Sequence, residues 1–128
     1  MKLRQIGFCG LLVLLAGCGD RREELAVDPM TKVEIDLSVL DEEGLRGPAD
    51  GKVAVSYEFA IPNTSRCRDE VRRIDPSVQF MAGSRGRVGA DETECLCIGS
   101  THRRDYLTVL RSLSELPYID RIIECHFE

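Results

Sequence analysis

Between Lys52 and Pro62 every second side chain is apolar. Val53, Val55, Tyr57, Phe59 and Ile61 share one side, and Ala54, Ser56, Glu58 and Ala60 the other. A period of two sustained over this length is that of a strand with one face against a core. Such a strand cannot stand alone, so the chain must supply partner strands and something to cover the apolar face. Pro62 and the cluster Asn63-Thr64-Ser65 stop the strand and offer helix caps. Cys67, Val71 and Ile74 then fall at i, i+4 and i+7, the stripe of a helix of about ten residues that ends before Asp75-Pro76.

Val78 to Met81 reads as a short strand, and the stretch from Ala82 to Gly89 as a glycine-punctuated turn. Glu94 to Gly99 reads as a further strand. Ser100-Thr101 is the expected cap of a second helix with the stripe Tyr106, Val109, Leu110, Leu113 and Leu116, which places Arg103 and Arg104 in its first turn. Beyond Pro117, Ile119 to Phe127 reads as a last strand with Ile123, Cys125 and Phe127 on one side.

The resulting order, βαββαβ, is that of a ferredoxin-like α+β sandwich: two layers, helices on one face of an antiparallel sheet whose usual strand order is 4-1-3-2. Val33, Ile35, Leu37 and Val39 alternate as well, which predicts an extra N-terminal strand. Between it and the main strand, residues 41–51 carry three glycines and a proline and read as a surface loop.

Ahead of all this, Lys2 and Arg4 precede an apolar run from Gly7 to Ala16, then Leu15-Ala16-Gly17-Cys18. Ten apolar residues span about 15 Å as a helix, roughly half of what a bilayer crossing needs. The segment therefore reads as a secretory leader. It resembles the signal and lipobox of bacterial lipoprotein precursors. That resemblance covers residues 1–18 alone and implies cleavage after Gly17, acylation of Cys18 and attachment to a membrane through the lipid, with palmitate among its chains. Gly19 stands where an aspartate would mark inner-membrane retention, so the resemblance implies the outer membrane, facing the periplasm. Residues 18–31 read as a flexible tether and residues 32–128 as a single domain.

Loss of Lys2 and Arg4 with the leader takes the formal charge from −5 to −7. An acidic exported chain is a poor match for nucleic acid, and an envelope protein or an anionic ligand is the expected partner. Charge is uneven, with five basic and eleven acidic residues over 19–58 and eight basic and six acidic over 63–104. Arg66, Arg68, Arg85 and Arg87 in that basic part are candidates for an anion site beside a helix N-terminus.

Cys67, Cys95, Cys97 and Cys125 remain after the leader and Cys18 are set aside. In an oxidising compartment four cysteines read as disulfide candidates. With the 4-1-3-2 order, Cys97 and Cys125 are separated by a strand and too far apart to bond, so Cys67 is expected to pair with Cys95 or Cys97. The alternative is a small metal-binding or thiol-redox protein using Cys95, Cys97, Cys125 and His126. No nucleophile elbow, zinc-protease helix or phosphate loop occurs, and Ser100 beside His102 reads as a cap. Neither a catalytic residue nor a cofactor is assigned.

Overall fold

The computed structural model describes residues 27–126. The leader, the lipobox with Cys18, the tether up to Ala26 and Phe127 lie outside the described residues. The fold is mixed α+β, two helices with two antiparallel sheets.

The alternating stretch divides at Val55. Its first part, β2 (Val53–Ala54), pairs with β1 (Leu45–Arg46) in a small hairpin inside what the sequence presents as loop. Asp41 builds that hairpin: Oδ1 accepts from the amides of Glu43 and Leu45 at 2.9 and 3.0 Å, and Oδ2 accepts from Lys52 Nζ at 2.7 Å. These bonds, the Lys52 one first, hold the Asp41 carboxyl down at about 2. Buried Thr101 fastens the hairpin to the sheet, donating its hydroxyl to the Gly44 carbonyl at 2.6 Å and accepting from the Val55 amide at 3.0 Å.

The second part, β3 (Ser56–Pro62), is the centre of the four-stranded sheet, whose order is β4-β5-β3-β6. β5 (Glu94–Ser100) pairs with β3 along its full length, from Ser56↔Ser100 to Pro62↔Glu94. β4 (Gln79–Ala82) lies beyond β5 and β6 (Ile123–Glu124) beyond β3, and every pairing is antiparallel. Tyr57, Phe59, Ile61, Cys95 and Cys97 form one face, and both helices cover it.

α1 (Ser65–Ile74) begins where Thr64 Oγ1 accepts from the Cys67 amide at 3.2 Å and buries Cys67 and Val71. It stops at Asp75, whose extended backbone is the one a following proline favours. α2 (Tyr106–Ser114) buries Tyr106, Val109, Leu110 and Leu113, the stripe read from the sequence. Its start differs from the expected one. Ser100 ends β5 and the Thr101 hydroxyl is occupied by the hairpin, so the helix opens later, at Asp105. Arg103 and Arg104 accordingly precede it.

The expected N-terminal strand is absent. Pro29–Lys32 and Leu37–Val39 are 3-10 turns, each started by an aspartate: Asp28 accepts from the Met30 amide at 3.0 Å and Asp36 from the Ser38 amide at 3.1 Å. A side chain that closes its own backbone turn removes the donors a ladder needs. Only Val33 bridges the sheet, beside Ile122. The alternation still buries Ile35, and Val33 and Leu37 pack on the core. Residues 28–31, read as tether, are folded onto α2, with Met30 against Ser114. β6 is likewise shorter than expected, and its approach buries Ile119 and Ile122 instead of alternating.

Tyr57 crosses β5 at Gly99, where an added Cβ would stand 2.4 to 2.6 Å from the phenol ring and hydroxyl. Gly99→Ala should therefore cost about 1–3 kcal/mol by overpacking. Urea unfolding checks it, and an unchanged midpoint would remove Tyr57 from beneath Gly99.

Candidate functional site

The β3–β5 register sorts the cysteines. Cys95 and Cys97 point from β5 to the helix face, where Cys67 of α1 also lies, and all three are buried. Cys97 Sγ donates to the Cys95 carbonyl at 3.7 Å, and burial, with Cys95 beside it, pushes the Cys97 thiol far above the ordinary range. Cys125 follows β6, where Ile123 stands opposite Glu58, so its side chain falls on the other face. Its thiol is pushed up to about 11, first by burial and then by the Glu58 carboxylate beside it.

This placement bears on both cysteine readings. All four described cysteines are free. With Cys125 alone on its face, no two-disulfide arrangement is compatible with this sheet, and only a bond among Cys67, Cys95 and Cys97 is. The alternative metal set also divides, because Cys95 and Cys97 lie on one side of the sheet and Cys125 on the other. His126 Nδ1 is 3.9 Å from Glu124 Oε1. Among the described residues no three histidine, cysteine or carboxylate side chains gather as a metal site.

The candidate arginines each have their own setting. Arg66 pairs with Glu70 at 3.3 Å, and Arg68 donates to Asn63 Oδ1. Arg87 lies on the outer face, near enough to Cys125 for its charge to act on the thiol. Arg85 is exposed, with no side-chain hydrogen bond or ion pair among the described residues. It lines a cleft of about 520 Å³ with Asn63, Ser84, Asp91, Glu92 and Glu94. The Asn63 amide donates to the Thr93 carbonyl at 2.9 Å, which joins the turn before α1 to the loop before β5. A pocket with one free guanidinium among three carboxylates does not suit a polyanion. It can take a single acidic group that carries cationic or neutral neighbours.

Two charged residues emerge that the sequence does not mark. Glu58, on the polar side of the alternation, is 3% exposed. The loop between β4 and β5 folds over it: the Val88 amide donates to Glu58 Oε1 at 2.7 Å, and at Gly86 an added Cβ would meet both that oxygen and Leu96 within 3.0 Å. Asp75 is fully buried at the end of α1, its Oδ1 accepting from the Ser77 amide, the Ser77 hydroxyl and Arg103 Nη1 at 2.9, 2.6 and 2.8 Å. Arg103 also grips Asp105, which holds that carboxyl below its ordinary value. The glycines at 83, 86 and 89 signal a folded-back loop, and Asp-Pro signals a stop. Neither says that a carboxylate is buried beneath.

Set against protein-family models, curated proteins and solved structures, the chain matches none.

Thiol labelling of the folded mature chain carrying Cys18→Ser should reach Cys125 first, with Cys67, Cys95 and Cys97 reacting only on unfolding. A chain with no free thiol before reduction would contradict the placement of Cys125.

Proposed function

We propose that this chain is a bacterial envelope lipoprotein, acylated at Cys18 and held at the periplasmic side of the outer membrane. Its α+β domain acts there as a binding or structural accessory. The observation that carries the reading is the sequence Leu15-Ala16-Gly17-Cys18 behind an apolar run too short to cross a bilayer. Two or more acyl chains, each CH₂ adding about 0.8 kcal/mol, make a stable anchor. The ten residues from Cys18 to Val27 reach at most about 35 Å when extended, which keeps the domain close to the surface.

We assign the domain to the ferredoxin-like type. Supporting the assignment are the order β4-β5-β3-β6, the antiparallel pairing of these four strands and the helices packed together on one face. The β1–β2 hairpin and the N-terminal turns are then additions to that plan. For the accessory role the cleft around Arg85 is the binding surface, and its mixed charge suits an envelope component with one acidic group. Neither the divided thiols nor the arginines favour the metal or redox reading.

Replacing Cys18 by serine in a bacterial host should abolish incorporation of labelled palmitate and release the chain from the membrane fraction. A serine variant that still pellets with membranes would overturn the anchor.

A further inference from the structure

Beneath the end of β5, a donor and an acceptor are buried without partners. Tyr57 Oη and Asp75 Oδ2 are both inaccessible, and neither has a hydrogen-bond partner among the described residues. The surroundings show how they come together. Gly99 lets the Tyr57 ring pass under β5, which delivers the hydroxyl to the corner where the chain leaves α1 for β4. Asp75 stands at that corner with Oδ1 saturated by Ser77 and Arg103 and Oδ2 left over. Burial, and then the Asp75 charge, keep the phenol protonated, so a donor lies within electrostatic reach of a carboxylate to which it makes no direct bond.

Leaving both groups unmade in a low-dielectric interior costs the desolvation of each. Ordered water commonly resolves that problem where a polar site has room. The charge at the site limits the ligand further. Arg103 already neutralises Asp75, so a neutral group fits and a second cation does not. Both atoms are also enclosed, so the group must be small. A cleft of about 230 Å³ lined by Ser77, Gln79, Gly99 and Ser100 opens beside the same corner.

We propose that one water molecule is bound between Tyr57 and Asp75, accepting from the phenol Oη and donating to the carboxylate Oδ2, as a fixed ligand of this fold. It completes the Ser77–Asp75–Arg103 cluster and ties the end of α1 to the central strand. The site is independent of the cleft at Arg85 and of the anchor.

Oxygen-17 relaxation dispersion on the mature chain counts long-lived internal waters. Tyr57→Phe removes the donor with little change in shape and should lower that count by one, with the amide spectrum otherwise preserved. In the unsubstituted chain, water–protein Overhauser spectra should show a long-lived water at the Ser77 amide or the Tyr57 ring, a readout that stands even where the variant unfolds. An unchanged count, the absence of any such cross-peak, or a crystal structure with Tyr57 Oη bonded directly to Asp75 Oδ2 would overturn the site.

Discussion

The register between β3 and β5 is the constraint on which the other features depend. Seven consecutive pairs fix Tyr57 opposite Gly99, Phe59 opposite Cys97 and Ile61 opposite Cys95. A slip of one residue would turn each of these side chains to the other face and drive Glu58 into the apolar layer. The same parity separates Cys125 from the other thiols and brings the Tyr57 ring over the one residue on β5 that has no side chain. The chemistry available to this domain is thus set by strand pairing before any individual site is considered.

Around that ladder the domain is closed by carboxylates and hydroxyls that bond backbone groups of its turns and loops. Asp41 folds the β1–β2 hairpin, Thr101 fastens it to the sheet, Asp75 closes the corner after α1 and Glu58 receives the loop before β5. A domain of this size buries too little apolar surface for a large margin, so such polar closures carry weight. They also explain why the second sheet face is not a plain polar surface. The glycine-bearing loop lies on it and buries Glu58 and Leu96.

Much of this architecture is legible in the sequence where periodicity is strong. The β3 alternation, the α1 stripe ending before Asp75-Pro76 and the α2 stripe all stand where the pattern places them. The expectation fails where short polar side chains compete with the pattern. Val33 to Val39 alternates like a strand, but Asp28 and Asp36 close local turns, and the alternation serves instead to bury Ile35 and to pack Val33 and Leu37 on the core. Ser100-Thr101 has the composition of a cap, but the Thr101 hydroxyl is bonded to Gly44, far away in sequence. The candidate sites were less legible still. Which arginines stand together, and which carboxylates are buried, depends on how a loop folds over a sheet, and no local spacing encodes that. Hence the separate partners of Arg66 and Arg68 have no mark in the sequence, and neither has the burial of Glu58 and Asp75.

Cross-strand backbone Overhauser contacts in the isotope-labelled mature chain test this register most directly. The structure requires cross-peaks joining Tyr57 with Gly99, Phe59 with Cys97 and Ile61 with Cys95. Contacts displaced by one residue, with Phe59 facing Leu96 or Ile98, would contradict the division of the two faces and everything built upon it.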